Sequence, residues 1–308
     1  MKIGLDVGGT KTDAVAVAPD GTIAGRVRLA TGWGADAVIH TVIDAVASLR
    51  RDLSLPEGVI ASVGIGTPGQ VAWGTGRVVH AVNLGVDELD LAAAVAPALG
   101  VPVYVENDVK AAAIGAYALL GATGSMAYLN LGTGIAAGIV LDGVLRRGPR
   151  GTAGEVGHIS VDPRGPLCRC GQYGCIEALA GGGAIAERWA RPGALPVRDV
   201  FDAADAGDAL ARELRHGLAR GVAAAVRILV LTADVDTVVL GGGVTALGSR
   251  LMADVGAELD ASAAASPFMR SLGLQDRVEL LPAGSPAAAL GAALIGDSRE
   301  SEEALAHG

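Results

Sequence analysis

Lys2–Thr31 reads KIGLDVGGTKTDAVAVAPDGTIAGRVRLAT, and its turns decide the fold. Ile3–Val7 is an apolar run that stops at Gly8-Gly9, Asp13–Ala18 is apolar again, and Asp20-Gly21 is a hairpin signal before Thr22–Leu29. Three strands joined by tight turns follow from this pattern. The same plan returns at Met126–Gly148, MAYLNLGTGIAAGIVLDGVLRRG. Here Asn130-Leu131-Gly132-Thr133-Gly134 answers Asp6-Val7-Gly8-Gly9-Thr10, and Asp142-Gly143 answers Asp20-Gly21. Two unrelated hairpins sharing common turn residues would look similar over a few positions; the length of the match favours two related halves. A helix is predicted over 35–51 from Val38, Val42, Val46 and Leu49, a strand over 60–65, a long helix over 207–231 and a strand over 237–240. Helices and strands alternating in both halves give an α/β architecture.

The 308 residues suffice for one large domain or two ordinary ones. Aromatics are 3% against 51% hydrophobic residues, so the core has to be built from Ala, Val, Leu and Ile. A formal net charge of −9 argues against nucleic acid or an anionic membrane as the partner. Met1-Lys2 leads straight into a strand, too short a run for a signal peptide, and no stretch reaches membrane-spanning length without Gly, Pro or charge. A soluble cytoplasmic protein is expected. The polar tail DSRESEEALAHG is expected as a short helix.

Three glycine turns, DVGGTKT, LGTGIAAG and LGGGV, each end an apolar strand. Glycine there lets backbone N–H groups converge on anionic oxygens with no Cβ in the way, so together they suggest a polyphosphate cradle. Gly132–Ala137 fits the G-x-G-x-x-G/A dinucleotide pattern, but IVLDGV follows it, a strand where that motif needs a helix. No Walker P-loop occurs.

Glu106, Asn107 and Asp108 stand where VPVYV gives way to an Ala-rich helix. Asp108 reads equally as a helix N-cap and as a general base at a strand end, with Asn107 supplying an amide. All three cysteines lie in LCRCGQYGCIE: Cys168, Cys170 and Cys175. With His158 of GEVGHIS upstream they form a Cys3His set, the complement of a closed structural zinc site; buried reduced thiols are the alternative. Such a site leaves no position for a metal-bound water, so it would brace a loop. It would hold Glu155 and Glu177 beside one another, and carboxylates suit the hydroxyls of a sugar.

These motifs, in this order, resemble the ROK family (repressor, open reading frame, kinase), particularly its ATP-dependent hexokinases and glucokinases. The likeness spans nearly the whole chain: DVGGTK, GTPG, ENDVKAAAIGA, LGTGIAAGIV, GEVGH, CRCGQYGCIE and VVLGGGV. It implies the actin-like ATPase fold shared by sugar kinases, Hsp70 and actin, with two domains around a cleft, here 1–115 plus 292–308 and 116–291, and usually a homodimer or further a tetramer. It implies phosphorylation of a hexose, glucose first, at the 6-hydroxyl, with ATP and Mg²⁺, and Asp108 as the base. Asn83, Asn107, Glu155, His158 and Glu177 match sugar-binding positions. Gly8, Gly9, Thr10 and Lys11 match the first phosphate segment, Gly132, Thr133 and Gly134 the second, and Gly241, Gly242 and Gly243 the adenosine segment. Asp6 would lie near Mg²⁺ through water, and His158 would serve zinc and sugar with its two nitrogens. The alternatives are an N-acetylglucosamine or N-acetylmannosamine kinase and a sugar-sensing regulator; the latter would need a helix-turn-helix for which Ile3 leaves no room. The chain departs from the family at Val82, where Pro is usual, in GVDELD, which lacks the usual Trp, in the alanines of LGTGIAAG, and at Lys110.

Overall fold

A computed structural model describes residues 1–296 except Trp73 and Ala265. The tail from 297, including the helix expected there, lies outside the described residues. The chain divides into two compact units. The first holds Met1–Gly124, Gly138–Ala153 and the described residues from 284 on; the second holds Ser125–Ala137 and Gly154–Ala283.

In the first unit the opening reading holds, with strands β1 (Lys2–Val7), β2 (Lys11–Val17) and β3 (Ile23–Ala30). They pair antiparallel, and β4 (Ser62–Thr67) and β8 (Val103–Asn107) extend the sheet in parallel to the order β3-β2-β1-β4-β8. Ile3, Leu5 and Val7 are fully buried on one face, in a cluster with Val38, Val42, Val46 and Leu49 of helix α1 (Ala35–Asp52). Burying aliphatic side chains on both partners is what holds a helix with no side-chain N-cap at Gly34. Between β4 and β8 the chain adds β5 (Gln70–Ala72), β6 (Arg77–Ala81) and β7 (Val86–Asp90), a small antiparallel sheet, then α2 (Leu91–Leu99). That sheet was not read from the sequence, because VDELD is mostly exposed and lacks an apolar alternation. After β8 comes α3 (Asp108–Leu119).

The echo becomes β9 (Ser125–Leu131), β10 (Ile135–Leu141) and β11 (Val144–Arg146). With β12 (Thr237–Gly241) and β13 (Val278–Leu280) the order is β11-β10-β9-β12-β13, the first sheet's plan repeated. Asp142 (φ 52°) and Gly143 (φ 80°) are both left-handed, the backbone a two-residue hairpin turn requires. The second unit's helices are α4 (Ile176–Ala180), α5 (Gly182–Trp189), α6 (Pro196–Asp205), α7 (Ala209–Ala233), α8 (Ser249–Ala264) and α9 (Pro267–Ser271). Helix α7 begins two residues later than expected because Gly207 is left-handed (φ 98°) and Asp208 caps the helix through Ala211 N–H at 2.9 Å. By length and composition α7 is the one described helix that could cross a membrane, but 56% of its apolar window is buried within the protein. The described chain ends in α10 (Ala287–Gly296), in the first unit.

Candidate functional site

Within the first unit, β1 runs into the turn Gly8-Gly9-Thr10, closed by Gly8 N–H to the Lys11 carbonyl at 3.0 Å. A methyl at Gly9 would stand 2.7 Å from the Asn83 carbonyl, so glycine lets the first turn lie directly against Asn83. Asn83 sits in a 3₁₀ turn, Val82–Leu84, that ends at left-handed Gly85. Asp6, the acidic residue of β1, faces Asp13 across the antiparallel pair. Its carboxyl is pushed up to about 7, first by burial, then by the charges of Asp108 and Asp13, against the pull of Lys11.

The strand end β8 supplies Asn107 and Asp108. The cap of α3 is Asn107, whose Oδ1 accepts Val109 N–H (3.0 Å) and Lys110 N–H (3.2 Å). Its Nδ2 donates to Gly69 O (3.2 Å) and to Asp108 Oδ1 (3.0 Å). The same Asp108 oxygen accepts Val109 N–H at 2.9 Å. Asp108 is therefore the first helical residue, with one carboxylate oxygen fixed by two donors.

In the second unit the turn Gly132-Thr133-Gly134 is closed by Gly132 N–H to Gly134 O at 3.1 Å. The Gly241-Gly242-Gly243 turn at the end of β12 lies beside it. A methyl on Gly242 (φ 89°) would be 2.6 Å from Leu131 O and 2.7 Å from Asn130 Oδ1. Glu155 precedes the 3₁₀ turn Val156–His158, and both Glu155 and His158 are exposed. Gly157 holds that turn against β10, where a methyl would stand 2.0 Å from Ile135 O.

The cysteine loop brings its expected partners together. One ligand atom from each of His158, Cys168, Cys170 and Cys175 lies within 4.8 Å of all the others. Cys170 Sγ is 3.6 Å from Cys175 Sγ, and Cys168 Sγ is 3.9 Å from His158 Nδ1. Tetrahedral zinc with Zn–S of about 2.3 Å and Zn–N of about 2.0 Å needs S···S and S···N edges of roughly 3.8 and 3.6 Å. The donor set and its spacing fit zinc.

The ROK family model matches residues 2–298. The chain is 30% identical to a glucokinase of Halalkalibacterium halodurans, covering 85% of this chain and 86% of that one. It is 34% identical to an N-acetylmannosamine kinase of Escherichia coli, over 79% and 82% of the two chains. Among solved structures, the ROK hexokinase from Thermus thermophilus superposes with a TM-score of 0.81 at 32% identity, covering 97% of this chain and all of that one. A ROK family glucokinase from Streptomyces griseus, in complex with glucose and AMPPNP, gives 0.76 at 30%, with 96% and 98% covered.

This chain belongs to the ROK family. Its fold is the actin-like ATPase fold of the ROK sugar kinases. Around its ENDVK segment lie partners that sequence reasoning missed. Glu106 Oε2 accepts Arg147 Nε at 2.6 Å, with both side chains about 95% buried, and Glu106 Oε1 accepts Asn107 N–H at 2.9 Å. Lys110, also buried, donates its ammonium to Gly151 O. The departure at Lys110 thus reaches the loop after β11, which Arg147 also anchors. The signal for Glu106 was present: a carboxylate in a buried strand requires a cationic partner. Nothing in the sequence named Arg147 among its neighbours. The Trp33 indole lies on Gly85, two residues after Asn83, where a methyl would be 2.4 Å from its ring.

Proposed function

We propose that this ROK protein phosphorylates glucose at the 6-hydroxyl, with Asp108 as general base. The activity class is a sugar kinase that moves a phosphoryl group from ATP to a hexose. The observation that carries the base assignment is the double hold on Asp108 Oδ1 by Val109 N–H and Asn107 Nδ2. A carboxylate locked by one oxygen keeps a fixed direction for the other, which is what proton transfer from a hydroxyl requires. In this reading Asp108 takes the hydroxyl proton as the new O–P bond forms and ADP departs.

The Gly8–Lys11 and Gly132–Gly134 turns hold the phosphates, and Gly241–Gly243 receive the adenosine. Asp6 would help hold Mg²⁺, which would neutralise charge on the phosphates. Asn83, Asn107, Glu155, His158 and Glu177 bind sugar hydroxyls. His158 and the three cysteines hold zinc, which braces the loop. The assembly is a homodimer, or a tetramer built from it, and the compartment is the cytoplasm.

A second reading, an N-acetylhexosamine kinase, is supported by the 34% identity to an N-acetylmannosamine kinase. Following ADP release with glucose, mannose, allose, fructose, N-acetylglucosamine and N-acetylmannosamine separates the two. Glucose should give the highest kcat/KM; a preference for an N-acetyl sugar overturns the first reading. Asp108→Asn should abolish turnover while sugar affinity is largely kept, and near-normal kcat would remove Asp108 as the base.

A further inference from the structure

Glu177 is tied to a phosphate turn. Its Oε2 accepts the amide N–H of Ile135 at 2.9 Å, the residue that follows Gly132-Thr133-Gly134. A methyl on Gly134 would lie 2.5 Å from the same oxygen, so the carboxylate sits directly on the turn. The backbone after Glu177 repeats the grip: Gly182 N–H reaches Gly132 O at 2.9 Å, and Gly183 N–H reaches Thr133 O at 3.0 Å. Glu177 itself is the second residue of α4, whose N-cap is Cys175 of the metal quartet.

By charge alone a carboxylate is a poor neighbour for a turn that receives polyphosphate. Its position makes sense as a selector of amides. Gly132 N–H is used by Gly134 O, and Ile135 N–H by Glu177. Among the described residues, the Thr133 and Gly134 N–H groups have no protein acceptor. Those two are left to meet a phosphate oxygen, while Glu177 turns Ile135 away from it.

We propose that Glu177 is a positioning residue for the nucleotide, holding the Gly132–Gly134 turn in its phosphate-accepting shape. The inference rests on the kinase reading and adds a nucleotide role to a residue otherwise assigned to sugar. The cysteine loop then governs affinity for ATP as well as for the acceptor.

The test is calorimetric titration of Mg·AMPPNP into the full-length protein with no sugar present, for wild type, Glu177→Gln and Glu177→Ala. Losing a charge-assisted hydrogen bond should weaken nucleotide binding about tenfold or more in E177A. E177Q keeps an oxygen for Ile135 N–H and should stay within about threefold of wild type on the same hydrogen-bond grounds. Hydrogen exchange should show the Ile135 amide protected in wild type and E177Q and unprotected in E177A, with the α7 amides unchanged. Should E177A fail to fold, Glu177→Asp, whose carboxylate is drawn back by one methylene, should show the same weakening. Wild-type nucleotide affinity in E177A or E177D overturns the proposal, as does equal loss in E177Q and E177A, which would point to charge alone. Nucleotide failing to bind wild type would overturn the kinase reading itself.

Discussion

At Asp6, burial and two neighbouring carboxylates act against one lysine, and the carboxyl ends near 7 in place of its ordinary 3.8. The sign of the consequence is fixed. Between about pH 4 and pH 7 the unfolded chain releases this proton and the folded chain keeps it, so Asp6 lowers stability as pH rises through that window. Replacing Asp6 by Asn should flatten this part of the stability–pH curve, measured by urea unfolding without divalent cations. The buried Glu106–Arg147 pair makes a second residue-scale prediction. Glu106→Gln leaves the Arg147 charge without its carboxylate and should cost about 3 kcal/mol or more, read from the unfolding midpoint at constant m. The place of Asp108, after a strand and first in a helix, was legible in ENDVK, but that Asn107 takes the cap of α3 was not, a rotamer matter that spacing does not encode. Arg147 and Lys110 were illegible as partners for a related reason: their contacts close over about 40 residues of chain.

Among the elements, α10 packs against the first sheet at backbone distance. A methyl on Gly4 would stand 1.9 Å from Ala289 O, and one on Gly64 would stand 1.7 Å from Ala292 O. Gly115 of α3 meets Ala287 O at 1.8 Å in the same way. Gly64→Ala should therefore destabilise by about 3 kcal/mol or more, since the neighbour is main chain and cannot yield as a side chain would. Gly21→Ala, with open space around it but φ 85°, should cost less, about 1 kcal/mol. Thermal unfolding of the two variants compares them. The cysteine loop is the other element with a sharp expectation. Purified protein should carry about one zinc per chain by atomic absorption, as a closed four-ligand site requires, and Cys175→Ser should lose most of it. Here the sequence was informative because Cys-x-Cys-x4-Cys has few structural uses and only His158 stood close upstream. The sheet β5-β6-β7 was not legible, because its strands are short and largely exposed, and the few residues that reach the core, Val78, Ala81 and Val86, form no regular apolar alternation.

Taken whole, the molecule repeats one five-strand plan, and the clue lay in a likeness of turns: Asp20-Gly21 and Asp142-Gly143, Gly8-Gly9-Thr10 and Gly132-Thr133-Gly134. Turn chemistry is local, so it survives in sequence; which chain segments share a unit is not local, and no motif marks it. The first unit is assembled from three separated segments, the last carrying α10. A chain cut before residue 284 should retain the second unit's helical signal while Gly4 and Gly64 lose their cover. Limited proteolysis should then cleave within 1–124 and spare α7.

That arrangement also sets an order of birth. The ribosome makes β1 well before the helix that covers its Gly4 face, which arrives more than a hundred residues after Ala153, roughly 10–20 s later at ordinary translation rates. The second unit, whose final strand precedes residue 284, is complete on the nascent chain earlier. During that interval a nearly finished sheet waits with a bare glycine surface, the moment at which a holding chaperone would matter most.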